Sequence, residues 1–179
     1  LDDDQANEGE RRARAALARA TSDGPNDRAL VANLNRLLGD ALYLQKRYGE
    51  AEPFFREALS LRRSEFGDDN SDTAVSVSDL ANTLKAQGRL AEAEPIFREA
   101  LAIRRSVLGD DHALTATTSR SLARTVRDQG KVNEAAAAFL DAVELTEKAH
   151  GTNDRLTINT RFDLAVHLHN NGARTAAEP

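Results

Sequence analysis

Between Ser71 and Leu84, apolar or small side chains stand at Ala74, Val77, Leu80, Ala81 and Leu84, with polar residues between them. Steps of 3, 3, 1 and 3 gather on one side of a helix that turns every 3.6 residues, whereas a strand would alternate. The pattern predicts a helix over about Ser71–Gln87, stopped at Gly88 because glycine accepts the left-handed geometry of a helix exit. We label this kind of helix A. A second stretch, helix B, runs over about Ala91–Val107 and buries Ile96, Phe97, Ala100, Leu101 and Ile103 by the same rule. Pro95 is expected near its first turn, where a missing N–H costs least. Gly109 closes the pair, and Asp110, Asp111 and His112 are candidate caps for the next helix.

The pair recurs every 42 residues. EAEPFFREALSLRRSEFGDDN begins at Glu50 and EAEPIFREALAIRRSVLGDDH at Glu92, with 15 of 21 positions identical. EAAAAFLDAVELTEKAHGTND, from Glu134, is a weaker third copy. Gly67, Gly109 and Gly151 keep the step, as do Gly88, Gly130 and Gly172, and Pro53, Pro95 and Pro179 fall on one repeat position. A fixed period of this length signals stacked units, each unable to bury its apolar face without neighbours. The register places further A helices near Asp27–Lys46, Ala113–Gln129 and Arg155–Asn171, and B helices near Gly49–Glu65 and Asn133–Ala149. GERRARAALA, from Gly9, lies 42 residues before AEPFFREALS, so Glu8–Thr21 reads as a helix B without its own helix A. The register slips by one at Gly24-Pro25, a loop adjustment.

The expected organisation is an acidic, disordered lead-in over 1–7, then a solenoid over 8–179. Its parts are a half-repeat 8–24, repeats 25–67, 68–109 and 110–151, and a half-repeat 152–179. Both ends fall inside repeats, since Ala177-Glu178-Pro179 is the counterpart of Ala51-Glu52-Pro53.

Composition narrows the function. A net charge of −5 and a pI near 5.4 exclude a general nucleic-acid binder, which needs a basic surface. No apolar run approaches the length of a membrane span and no segment has a signal-peptide layout, so a cytoplasmic protein is expected. The absence of cysteine rules out disulfides and thiolate metal sites. The absence of methionine suggests a processed or partial chain.

The small and large positions of each pair carry a resemblance. Leu38-Gly39-Leu42, Leu80-Ala81-Leu84, Leu122-Ala123-Val126 and Leu164-Ala165-Leu168 mark the A helices. Ala51 with Phe55, Ala93 with Phe97 and Ala135 with Phe139 mark the B helices, each followed by Ala58, Ala100 or Ala142. These residues resemble the tetratricopeptide repeat, in a 42-residue form similar to that of kinesin light chains. The resemblance implies an all-α, right-handed solenoid of antiparallel helix pairs, with about eight helices. Two departures stand out. The proline that ends helix B in the 34-residue form is replaced by Arg63, Arg105 or Glu147, so helix B is expected to run about one turn further. The Asn pair that kinesin light chains carry before the Leu-Ala of helix A is replaced by Arg36-Leu37, Ser78-Asp79, Arg120-Ser121 and Phe162-Asp163. The architecture therefore transfers, and the cargo-peptide mode does not.

Tetratricopeptide solenoids bind partners on a concave face lined by helix A, which implies a set of groove positions here. They are Arg36, Asp40 and Tyr43; Ser78, Asn82 and Lys85; Arg120, Arg124 and Arg127; and Phe162, Val166 and His169. Three arginines at i, i+4 and i+7 repel one another mildly along a helix, and guanidinium groups match carboxylates. They read either as an anchor for an acidic peptide or as a solvated face paired with nearby Asp or Glu. With Lys85 they suggest an acidic partner segment across repeats two and three. Phe162 and Val166 read as an apolar subsite, or as residues packed by a further stretch of solenoid. His167 and His169, two apart on a helix, cannot share a metal. His112 and His150 fall at repeat junctions, and Asp68-Asp69 and Asp110-Asp111 mark loops. Arg62-Arg63 and Arg104-Arg105 read as an outer face of helix B. No phosphate-cradling loop, nucleophile elbow or catalytic carboxylate pair appears. The expectation is a non-enzymatic scaffold that binds a protein or peptide, without metal or cofactor. The alternative is a regulatory or self-assembling arm of a larger signalling protein, associating through the solenoid ends.

Overall fold

The computed structural model describes the backbone of residues 3–22 and 27–175 and the side chains of 7–21 and 27–171. Gly24-Pro25 and Ala177-Glu178-Pro179 lie outside the described residues. The chain divides into two compact units, residues 1–89 and 90–179. The first holds α1 (Asp3–Ser22), α2 (Arg28–Leu44), α3 (Tyr48–Phe66) and α4 (Ser71–Ala86); the second holds α5 (Leu90–Leu108), α6 (Ala113–Asp128), α7 (Val132–His150) and α8 (Arg155–Thr175). All regular structure among the described residues is α-helical. Helices adjacent in sequence pack against each other within each unit. Connections of three to five residues between such helices force them antiparallel.

The turn from helix A to helix B has one chemistry throughout. Gly130 carries a φ of 77° after α6, and its N–H bonds to the Arg127 carbonyl at 2.8 Å, while the Lys131 N–H reaches Val126 at 3.4 Å. This pair of bonds around a left-handed residue consumes carbonyls that the helix end would leave unpaired. After α2 the same two bonds, Lys46 to Tyr43 at 2.9 Å and Arg47 to Leu42 at 3.0 Å, form around Lys46, whose φ is 60°. The first repeat thus places a side chain where the others use glycine.

Cores form as the small and large positions require. In the first unit Leu38, Leu42, Ala51, Phe55, Ala58, Val77, Ala81 and Leu84 are buried. In the second, Ala123, Phe139 and Ala142 form a cluster against which Leu164 packs. Two threonines that interrupt the apolar face, Thr83 and Thr125, are buried and satisfied within their own helix. Thr83 donates to the Asp79 carbonyl and Thr125 to the Ser121 carbonyl, both at 2.8 Å.

Four expectations change. Helix α1 begins at Asp3, inside the segment expected to be a disordered lead-in. Pro53 and Pro95 are the sixth residues of α3 and α5, past the first turn. Each forgoes a bond to the carbonyl four residues back, and those residues, Gly49 and Ala91, are exposed and open to water. Ile96 is only half-buried. Arg62 and Arg104 are buried rather than on an outer face. Arg62 donates to the Asp72 carbonyl and Ser76 Oγ, each at 2.9 Å, and to Asn33 Oδ1 at 2.8 Å. Arg104 donates to the Leu114 carbonyl at 3.1 Å and to Thr118 Oγ1. Each guanidinium ties a B helix to the next A helix, and only Arg63 and Arg105 stay at the surface, paired with Asp68 and Asp110.

A second tie recurs at the opposite end of the pair. Glu94 on α5 accepts from Gln129 Nε2 at 2.8 Å, Lys131 Nζ at 2.6 Å and Arg98 Nη2 at 2.7 Å. Glu52 takes the same bonds from Gln87, Arg89 and Arg56, and Glu10 from Gln45, Arg47 and Arg14. Burial opposes ionisation of Glu94, but the three donors outweigh it and hold the carboxyl down at about 2. At the α7–α8 joint the same register positions read Ala136, Leu140 and Asn171, and the carboxylate tie is gone.

Candidate partner-binding face

Each groove position lies on an A helix, and the two units present different chemistry. On α2, Arg36 donates to Asp40 at 2.8 Å. Burial raises the Asp40 carboxyl despite the opposing pull of Arg36. Tyr43 stacks edge-on against Tyr48, with ring centroids 5.0 Å apart. Its hydroxyl titrates above the usual range, chiefly through burial and then through Tyr48 and Asp79. On α4, Ser78 is buried, while Asn82 and Lys85 are half-buried. The first unit therefore offers a mixed-charge face in which Arg36 is already matched.

In the second unit α6 carries the three arginines and α8 answers two of them. Asp163, itself 9% exposed, points at α6. Its Oδ2 accepts from Arg120 Nε at 3.1 Å, Arg120 Nη2 at 2.9 Å and Arg124 Nε at 3.1 Å, and its Oδ1 from Arg124 Nη2 at 3.3 Å. One carboxylate thus bridges two guanidinium groups and leaves the cluster a net positive charge. Arg127 pairs with Asp128 at 2.9 Å and lies 5.8 Å from the centre of the Phe139 ring. The paired-arginine alternative is the one that the side chains adopt. Solvent still reaches Arg124 and Arg127, whose side chains are 40% and 33% exposed.

On α8, Phe162 is 66% exposed, Val166 is half-buried and His169 is exposed. Val166 and Arg127 line a common cavity of 290 Å³ together with Val132, His167 and Asn171. His167 is buried and bonds through Nε2 to the Val132 carbonyl at 2.9 Å. Gln129 makes the equivalent bond to the Leu90 carbonyl at 3.3 Å one repeat earlier. His112 caps α6, its Nδ1 accepting from the Leu114 N–H at 3.1 Å. No group of three or more His, Asp or Glu able to hold a metal occurs among the described residues. No described helix is long and apolar enough to cross a membrane.

Reasoning from sequence missed Asp163 as a partner of the arginines. The signal was present as register: Asp163 and Asp79 occupy one repeat position, one A helix after Arg120 and Arg36 respectively.

This register of stacked helix pairs, with its fixed small and large positions, defines a helical repeat protein. The chain belongs to the tetratricopeptide repeat family, which it matches over residues 30–106 and 72–148, more than half its length. BtubC (BKLC) from P. vanneervenii shares the fold with a TM-score of 0.83 at 20% identity, over 94% of this chain and 67% of that one. Kinesin-light-chain-type TPR-like repeats from Podosopora anserina match with a TM-score of 0.83 at 19% identity, over 97% of this chain and 82% of theirs. A variant of the latter matches with a TM-score of 0.84. No curated protein matches the chain. The fold is accordingly an all-α tetratricopeptide solenoid, and the repeat is one that mediates protein–protein interactions.

Proposed function

We propose that the chain is a non-catalytic scaffold that holds an acidic partner segment on the A-helix face of α6 and α8. The observation that carries this reading is the Asp163 bridge. A carboxylate seated on Arg120 and Arg124 shows that the two guanidinium groups accept one. The cluster keeps a net positive charge after that pairing, and Arg124 and Arg127 remain open to solvent. The concave face that tetratricopeptide proteins line with helix A is where a partner would lie. Acetylated hexaglutamate, titrated calorimetrically, tests the reading. Binding is expected to weaken as salt rises and to be lost in Arg124→Gln/Arg127→Gln with the helical circular dichroism unchanged. Equal binding by parent and variant would overturn it.

A second reading rests on a separate observation. Ile158, Phe162 and Leu168 are all more than half exposed on α8, and exposed apolar side chains gathered on one element favour association. Self-association through this helix, as in an assembly arm, predicts a concentration-dependent mass in sedimentation that Phe162→Ser and Leu168→Ser abolish. A constant monomer mass would exclude it.

A further inference from the structure

The acidic-segment site already contains an acidic group, and that group belongs to the chain itself. Asp163 takes the Nε–Nη2 edge of both Arg120 and Arg124. This edge is the fork that matches a carboxylate with two parallel bonds. A second carboxylate cannot reach the same edges while Asp163 holds them. The helix that carries Asp163 is also the one with the altered joint. The carboxylate tie that fastens the other three joints, through Glu10, Glu52 and Glu94, is replaced at α7–α8 by Ala136, Leu140 and Asn171. The Asp163 bridge is one of the polar contacts that fasten α8, beside Arg161 to Glu147, Thr157 to the Thr146 carbonyl and His167 to the Val132 carbonyl, and it is the one that lies on the partner-binding face.

We propose that Asp163 is an internal competitor for the carboxylate site formed by Arg120 and Arg124, and that an acidic partner segment binds there by taking its place. This rests on the acidic-segment reading above. Binding and the attachment of α8 are then coupled in opposite directions, since each ligand of the site excludes the other. The site is autoinhibited, and a partner with several carboxylates in a row outcompetes the single internal one.

The experiment uses acetylated hexaglutamate on the full chain. Asp163→Asn removes the competitor and should bind the probe on the order of tenfold more tightly, the scale of one charge-assisted hydrogen bond. Asp163→Glu keeps a carboxylate and should bind close to the parent. In the parent itself, saturating probe should speed amide exchange in α8 while leaving α7 unchanged. The parent measurement decides the matter if α8 frays in Asp163→Asn. Equal or weaker binding by a folded Asp163→Asn, or α8 amides that exchange more slowly with probe bound, overturns the proposal. If Arg124→Gln/Arg127→Gln abolishes binding while Asp163→Asn fails to tighten it, the acidic-segment reading stands and the competition falls. If no variant binds the probe, both fall.

Discussion

At the scale of the residue, the repeat allows one position to be compared with its own copies. Gly39 stands where Ala81 and Ala123 stand, yet a Cβ there would lie 2.8–3.0 Å from the Phe55 ring. Real Cβ contacts are not that close, so the first pair has closed onto a missing methyl. Gly39→Ala should destabilise by roughly 1–3 kcal/mol through overpacking, read as a lower urea midpoint. Lys46 gives the opposite case. Its φ of 60° suits glycine, which the other turns use. Lys46→Gly should stabilise by about 1 kcal/mol as the left-handed strain is relieved, read as a higher melting temperature. The sequence already showed both positions, because Gly39 and Lys46 break the pattern of their copies. It hid the burial of Arg62 and Arg104. A paired arginine on a polar stretch reads as solvated, and only folding shows a neighbouring helix offering carbonyls to it.

At the scale of the element, helix limits were legible to within a few residues because apolar period, glycine and cap agree. The B helices run to Phe66, Leu108 and His150, as the missing proline implied. The ties between helices were less legible. Glu10, Glu52 and Glu94 repeat in the sequence as part of ERRAR and EPxxREAL phrases, but their partners lie 35 and 37 residues away. These ties carry a pH dependence whose sign follows from Glu94. Its carboxyl ordinarily titrates at 4.5 and is held at about 2 when folded. The unfolded chain therefore takes up the proton first as pH falls. The contribution to stability is present above 4.5 and is lost between 4.5 and 2. Glu94→Gln removes it. Urea midpoints should separate parent from variant at pH 6 and converge toward pH 2. A constant separation would show that the ionised tie is not what Glu94 supplies. At the α7–α8 joint Ala136 stands at the Glu94 position, so this particular contribution is missing there.

At the scale of the whole molecule, the 42-residue period made the class of fold legible, because a repeat of helix pairs has few ways to bury its apolar faces. The candidate groove positions were read from the same register. What the sequence could not show was the state of the charges on that face. Three arginines in a row read as a vacant anchor, whereas Asp163, 39 and 43 residues further on, occupies two of them. The central claim is that α6 and α8 nonetheless form the face that a partner segment uses. Arginine side-chain resonances report on it directly. In a ¹⁵N-labelled chain titrated with acetylated hexaglutamate, the Nε–H signals of Arg120, Arg124 and Arg127 are predicted to shift and saturate together. Those of Arg56 and Arg98, on the B helices, should stay in place. Equal shifts at all arginines, or no shift at Arg120, Arg124 and Arg127, would contradict the account.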